Sequence, residues 1–149
     1  MSWKVIQILC AVSFSHNGRF IVSGSSDKTV RIWNMAICET TYMLTGHTSG
    51  VRSVAISRND EFVVSGSDNR TVRIWATATG ELLHELKGHA GKVVSVAVSP
   101  DCQHIASGSG GLRSCSEVWI WTKDGVIEHK LECLEYPYPY HLAFSHDGR

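Results

Sequence analysis

Apolar and polar residues alternate with a period of two along most of this chain. In the stretch 93–99, Val94, Val96 and Val98 are expected to point to one side of a strand and the small residues between them to the other. No segment shows a 3.6-residue apolar period long enough for a helix. The pattern therefore predicts an all-β protein built from short strands.

Turn-forming residues separate the predicted strands at regular intervals. Asn17-Gly18, Asn59-Asp60, Pro100-Asp101 and Asp147-Gly148 each follow a strand, and such pairs favour tight turns. The chain is thereby divided into three units of four strands and one further strand. The predicted strands lie near 6–15, 19–24, 29–33 and 41–45, then 51–57, 61–66, 71–76 and 81–87, then 93–99, 104–108, 117–122 and 126–132, and finally 140–145.

The units repeat at an almost constant spacing. Gly88-His89 follows Gly46-His47 by 42 residues, while Ile120-Trp121 follows Ile74-Trp75 by 46, so the third unit holds four extra residues. The final seven residues, 143–149, nearly repeat the Ser-Phe-Ser-His-Asn-Gly-Arg that begins at Ser13. A period of about 40–45 residues with a Gly-His opening and a late Trp is typical of propeller blades.

On these residues the chain resembles the WD40-repeat β-propellers. The resemblance covers essentially the whole sequence and implies an all-β propeller of four-stranded antiparallel blades, formed by a single WD40 region over 1–149. It places blade one at 5–45, blade two at 46–87, blade three at 88–133 and the start of blade four at 134–149.

Three blades and the first strand of a fourth make an incomplete array, because propellers typically close with four to eight blades. The faces at the two ends of such an array lack a neighbour, although each fully buried Val, Leu or Ile is worth about 1.5–3 kcal/mol. We favour a segment or truncated product of a longer array over the alternative, which is self-association of chains to close a ring.

The resemblance also implies a buried hydrogen-bond chain of His, Ser or Thr, Asp and Trp in each blade. Buried polar groups need partners, so this role is structural and not catalytic. The matching residues are His47, Ser65, Asn69 and Trp75 in blade two, Ser23, Asp27 and Trp33 in blade one, and His89, Ser107 and Trp121 in blade three. Val5 stands at the His position of blade one, Asn69 replaces the acid of blade two, and the insertion displaces the acid of blade three.

The insertion at 110–116 is rich in Gly, and we expect a surface loop there. It lacks the Gly-x-x-x-x-Gly-Lys spacing of phosphate-binding loops. Trp119 takes the place of Arg31 and Arg73, which are positions expected to face solvent. Two interpretations of Trp119 stay open: the longer loop covers it, or it is an exposed anchor for a partner.

One face of the implied propeller carries the candidate partner-binding residues. They are Arg52, Asp68, Lys92, Tyr136 and Tyr138. Arg and Tyr are enriched at interface hot spots. For the two tyrosines we favour the alternative that they pack between blades three and four.

Composition narrows the function further. Lys and Arg number 14, as do Asp and Glu, so no overall positive charge indicates nucleic-acid binding. The five Cys contain no Cys-x-x-Cys pair and indicate reduced thiols inside a cell. No apolar run approaches the roughly 20 residues of a membrane span. No residue pattern indicates a metal, a cofactor or a catalytic site.

We therefore expect a non-enzymatic scaffold that binds proteins or peptides, located inside the cell, with the cytoplasm favoured over the nucleus. We expect no cofactor, no nucleic-acid partner and no membrane contact. One alternative is that the chain is the propeller portion of a larger regulator, of the NTPase or ubiquitin-ligase adaptor type. Another is a truncated fragment without an independent function.

Overall fold

The computed structural model describes residues 9–111, 114–133 and 141–148, and the strands below are those of the described residues. Three antiparallel sheets of four strands follow one another along the chain, and neighbours in sequence are neighbours in each sheet. The strands are β1 (Leu9–Phe14), β2 (Phe20–Ser25), β3 (Val30–Asn34), β4 (Glu39–Leu44), β5 (Val51–Ile56), β6 (Phe62–Ser67), β7 (Val72–Ala76), β8 (Leu82–Leu86), β9 (Lys92–Val98), β10 (His104–Gly111), β11 (Ser114–Thr122) and β12 (Ile127–Cys133). The all-β fold and the succession of four-stranded blades are thus confirmed.

A serine closes the turn after the first strand of every blade. The Oγ atoms of Ser15, Ser57 and Ser99 each accept the backbone N–H of the residue five positions later, at 2.9–3.0 Å. Between blades one and two, the Asp60 carboxylate also accepts the backbone N–H groups of His16 at 2.6 Å and Asn17 at 2.9 Å. Neighbouring blades are therefore joined by polar contacts at this end as well as by their apolar faces.

Successive blades bury one apolar face against the next. Val51 and Val54 of blade two press on Gly24 of blade one, where an added Cβ would lie 2.6 Å from Val51 Cγ1. Val93 and Val96 contact Gly66 in the same way. Glycine is required at both positions because the next blade occupies the space of a side chain.

The predicted alternation of Val94, Val96 and Val98 on one side of the strand is wrong in detail. Val93 and Val96 are the buried pair, three residues apart. The β9–β10 ladder shifts register between Gly108 and Ser109, and a β-bulge of this kind moves the side chains before it to the other face. Blades one and two shift their registers at the matching place, between Leu9 and Ala11 and between Val51 and Ser53.

Residues 141–148 occupy the place of the next inner strand, but they pair with no other strand of the described chain. Leu142 N donates to Ser95 Oγ at 2.9 Å, just as Val96 N donates to Ser53 Oγ at 3.1 Å one blade earlier. Ser145 Oγ donates to Asp147 Oδ1 at 2.7 Å, which matches Ser15 Oγ on Asn17. The described part of the predicted strand at 140–145 therefore lies where the first strand of a fourth blade is expected, with no second strand described beside it, and position 140 lies outside the described residues.

The predicted surface loop at 110–116 is also wrong for its described residues, and positions 112 and 113 lie outside them. β10 and β11 continue as a paired hairpin to Gly111 and Ser114, and Ser109 and Gly110 are buried. The extra residues therefore lengthen two strands of blade three. Backbone hydrogen bonds across the hairpin satisfy polar groups that an irregular loop would leave to water.

Equivalent apolar positions differ sharply in burial between the ends and the middle of the array. Val54 is 8% exposed, whereas Val12 at the same place in blade one is 53% exposed. Leu86 of blade two is 3% exposed, and Leu131 of blade three is 55% exposed. The two outer faces of the array therefore expose positions that a neighbouring blade covers in blade two.

This difference gives a matched pair of substitutions. Val54→Ala should lower the free energy of unfolding by about 2 kcal/mol through lost burial and a cavity. Val12→Ala should cost less than about 0.5 kcal/mol, because exposed positions contribute little. Urea unfolding of the two variants measures this. Equal losses would contradict an exposed outer face and indicate that another blade or a second chain covers Val12.

Candidate functional site

A buried hydroxyl links the histidine and the tryptophan of blade two. Trp75 Nε1 donates to Ser65 Oγ at 2.9 Å, and His47 Nε2 lies 2.8 Å from the same oxygen. The indole N–H can only donate, so the Ser65 hydroxyl hydrogen is left for His47 Nε2. In this arrangement a neutral His47 with its proton on Nδ1 accepts that hydrogen at Nε2.

A threonine completes the network on the other side of the imidazole. His47 Nδ1 lies 3.4 Å from Thr71 Oγ1, which in turn donates to Asn69 Oδ1 at 2.6 Å. Thr71, which the sequence prediction missed, thus links Asn69 to the imidazole, and the Asn69 side chain also acts on His47 directly by opposing the fall of its pKa. The signal was present, because Thr29 and Thr71 both follow the acid position by two residues.

The imidazole of blade two is held neutral by its surroundings. Burial lowers the pKa of His47 to about 4, and the positive charge of Arg73 acts in the same direction. Burial disfavours the charged form of a basic group because water no longer solvates it. At neutral pH His47 therefore keeps the protonation state that the Ser65 hydroxyl needs.

Blade one holds part of the same network. Trp33 Nε1 donates to Ser23 Oγ at 2.9 Å, as predicted. Asp27 accepts Thr29 Oγ1 at 2.6 Å and pairs with Arg31 at 3.2 Å. Burial alone would raise the pKa of Asp27, but hydrogen bonds from Thr29 and Ser25 lower it overall. Val5, at the histidine position, lies outside the described residues.

In blade three the acid comes from a strand, whereas the acid of blade one lies in the β2–β3 turn. His89 Nε2 lies 2.6 Å from Ser107 Oγ, and Trp121 Nε1 donates to that oxygen at 2.7 Å. His89 Nδ1 faces Glu117 Oε2 of β11 at 3.4 Å. Burial lowers the pKa of His89 while Glu117 opposes that shift. Glu117 is thus the acid that the insertion displaced, and it is the only carboxylate between Ser107 and Trp121 in the sequence.

Trp119 is buried and not a surface anchor. It is 5% exposed, its ring centroid lies 4.5 Å from that of His89, and Lys130 Nζ lies 4.0 Å above it. Gly88 has φ +138°, and a Cβ there would come 2.6 Å from the Trp119 ring. The expectation that this position faces solvent is therefore wrong, because glycine at 88 makes room for a large side chain over the histidine.

These serine, histidine and acid groups cannot act as a catalytic set. Ser65 and Ser107 are fully buried, and each hydroxyl is shared between an indole and an imidazole. No substrate atom could approach either oxygen. Among the described residues no group of three or more His, Cys, Asp or Glu side chains is placed to hold a metal ion.

Three of the candidate partner-binding residues meet on one surface. Arg52 Nε and Nη2 donate to the two oxygens of Asp68 at 2.9 and 3.0 Å, and Lys92 Nζ lies 3.9 Å from Asp68 Oδ2. Asp68 raises the pKa of Arg52 through this hydrogen bonding. Arg52 and Lys92 stay half exposed, at the junction of blades two and three. Tyr136 and Tyr138 lie outside the described residues.

The geometry supports a substitution that places an Asp at the acid position of blade two. Asn69→Asp should raise the free energy of unfolding by about 0.5–1 kcal/mol, because a charged acceptor strengthens the bond from Thr71. Blade one already holds Asp27 with Thr29 at the same 2.6 Å. Thermal unfolding measures the gain, and the gain should be smaller in a Thr71→Val background, where only the direct interaction with His47 remains. A lower Tm for Asn69→Asp would contradict it.

The part of the chain that the structure describes has no helix that is long and apolar enough to cross a membrane.

Comparisons with known proteins agree with the repeat architecture. The sequence model of the WD domain, G-beta repeat, matches residues 6–34, 38–76 and 80–121. A Lissencephaly-1 homolog of Glossina morsitans morsitans is 44% identical over 39 residues, which cover 26% of this chain and 10% of that protein. The pre-mRNA-splicing factor PRP46 of Debaryomyces hansenii is 35% identical over 63 residues, covering 36% of this chain and 15% of that protein.

The chain therefore spans a small part of the length of these relatives. The first matched repeat holds β1–β3, and the second and third each hold the last strand of one sheet and the first three strands of the next. Each matched repeat contains one of the Trp–Ser hydrogen bonds described above. The chain belongs to the WD40-repeat family, whose propeller domains serve in general as protein-interaction modules.

Proposed function

We propose that this chain is a non-enzymatic platform for binding proteins or peptides. The observation that carries the proposal is that the Ser, His and acid groups that resemble a catalytic set are used in hydrogen bonds within blade two and within blade three. What remains exposed is the turn surface with Arg52 and Lys92 around Asp68. Arg is enriched at interface hot spots, and a partly exposed cation pair can select a partner by charge.

A photo-crosslinking experiment tests the proposal. A photoreactive residue is placed at position 92 in one sample and at exposed Met43, on the outer strand β4, in another. We expect position 92 to give a discrete crosslinked protein that position 43 does not give. The isolated partner should bind the purified chain in calorimetry, and Arg52→Glu should weaken it. Identical products from both positions would contradict a dedicated surface.

A second candidate is that the chain is the propeller portion of a larger regulator in the cytoplasm or nucleus. The observation in its favour is that the chain covers only 10% and 15% of the two relatives named above. The exposed outer faces at Val12 and Leu131 are compatible with further blades. Extending the open reading frame from the transcript tests this. Finding neither added blades nor another domain would count against it.

A further inference from the structure

Charge is segregated between the two ends of the blades, although the whole chain is neutral. The end reached by the β2–β3, β4–β5, β6–β7 and β8–β9 turns is called here the basic face. Among the described residues of these turns and the first two residues of β5 and β9, five cations occur beside two carboxylates, and Glu85 lies near the end of β8 just before the last turn. The cations are Lys28, Arg52, Arg70, Lys87 and Lys92, and the carboxylates are Asp27 and Asp68.

The carboxylates of the basic face are less accessible than its cations. All five cations are exposed, whereas the side chains of Asp27 and Asp68 are 22% and 13% exposed. Asp27 is engaged by Thr29 and Arg31 below the surface. Lys87 pairs with Glu85 at 3.2 Å, and Asp68 serves both Arg52 and Lys92. Within the described ranges Lys28 and Arg70 form no ion pair with a carboxylate, so the face presents surplus positive charge to solvent.

The opposite end of the blades has the reverse balance. Its turns carry six carboxylates and three cations among the described residues. The carboxylates are Asp60, Glu61, Glu81, Asp101, Asp124 and Asp147, and the cations are Arg19, Arg58 and Lys123. The strands between the ends have about six residues each, which places the ends roughly 20 Å apart. This exceeds the Debye length of about 8 Å at physiological salt, so the two faces act on partners separately.

We infer that the basic face binds an acidic segment of a partner protein, an inference that rests on the proposed platform function and specifies its partner. Clustered cations on one face attract carboxylates and speed their association. Arg52 is held in place by its two bonds to Asp68, so little of its side-chain freedom is lost on binding. It can offer its remaining donors beside Lys92, whose contact with Asp68 is long at 3.9 Å.

Over its described turns, the basic face suits an acidic peptide better than a single-stranded nucleic acid, and Tyr136 and Tyr138, expected on the same face, lie outside the described residues. Such ligands combine phosphate contacts with bases stacked on exposed aromatic rings. The described turns of the basic face contain no Trp, Tyr or Phe, and the indoles of blades two and three are buried beneath. The described turns therefore favour a ligand that binds through its negative charge and does not need aromatic rings on which to stack.

The test uses the full chain and a fluorescent 15-residue peptide rich in Glu, with a Gln analogue of the same length. By anisotropy at low salt, the Glu peptide should bind and the Gln peptide should not. Lys92→Glu should weaken binding by a factor of ten or more, equivalent to about 1.4 kcal/mol. Arg58→Glu makes the same charge change on the opposite face and should alter binding less than about twofold. Circular dichroism confirms folding, and Arg70→Glu replaces Lys92→Glu should the latter unfold.

Several results would overturn the inference. Equal binding of the Gln peptide, or equal weakening by Arg58→Glu, would show that the basic face is not responsible. Tighter binding of a single-stranded oligothymidylate than of the Glu peptide would identify a nucleic-acid surface instead. A mass that rises with protein concentration and falls in Lys92→Glu would show that the acidic end of a second copy is the occupant. A partner crosslinked at position 92 without Glu-peptide binding would leave the platform function standing and remove only this inference.

Discussion

Ser65→Ala is expected to lower the free energy of unfolding by about 2–4 kcal/mol, a large fraction of the stability of a small domain. The substitution removes one oxygen but leaves two buried groups without a partner, Trp75 Nε1 and His47 Nε2. Each orphaned buried donor or acceptor costs about 1–3 kcal/mol. Urea unfolding followed by tryptophan fluorescence measures the loss.

The control for this prediction is Ser26→Ala. Ser26 is exposed in the β2–β3 turn of blade one, and a surface change of this kind usually stays within about 0.5 kcal/mol. A double variant, Ser65→Ala with Trp75→Phe, removes the orphaned indole N–H and should recover part of the loss relative to the sum of the single changes. A Ser65→Ala variant as stable as the control would show that the hydroxyl does not hold the blade together.

Acidification is expected to weaken the fold through His47. Its pKa is about 4 in the folded chain and 6.5 in the unfolded chain, so the unfolded chain binds a proton first as the pH falls. The stabilisation is complete above pH 6.5 and is lost progressively towards pH 4. At about 1.4 kcal/mol for each pH unit, His47 accounts for a loss of roughly 2 kcal/mol between pH 7 and pH 5.

Denaturant unfolding at pH 7 and pH 5 tests this sign and size. His47→Gln should be less stable than the native chain at pH 7 but should lose less stability on acidification. His89, whose pKa is also lowered by burial, still makes the free energy of unfolding depend on pH in that variant. Ser26→Ala, the exposed and non-titrating control in a turn, should leave the slope unchanged. An unaltered slope in His47→Gln would contradict the neutral, buried state of this imidazole.

Features that depend on local sequence could be predicted well. The period-two alternation gave the strands of all three blades within a few residues, because side chains alternate faces in any strand. The repeat spacing gave the matching Ser and Trp positions, and the structure brings Ser23 to Trp33, Ser65 to Trp75 and Ser107 to Trp121. Equivalent residues meet in each blade because the same hairpin register is repeated.

Features that depend on contacts across strands and blades needed the tertiary structure. The alternation failed at Val93 and Val96, since a bulge is set by pairing with β10 and leaves no mark in one strand alone. The insertion became part of a hairpin because its backbone found partners across β10 and β11. Trp119 became buried because Gly88, from a distant turn, left room above His89.

The sequence by itself determined the strand pattern, the number of repeats and the matching Ser and Trp positions, since these follow from local periodicity and repetition. Only the tertiary structure decided that Glu117 faces His89 and that Arg52, Asp68 and Lys92 share a surface. It also separated the charges of a neutral chain into a basic and an acidic end. The physical reason is that turns far apart in sequence converge when antiparallel strands of similar length lie side by side.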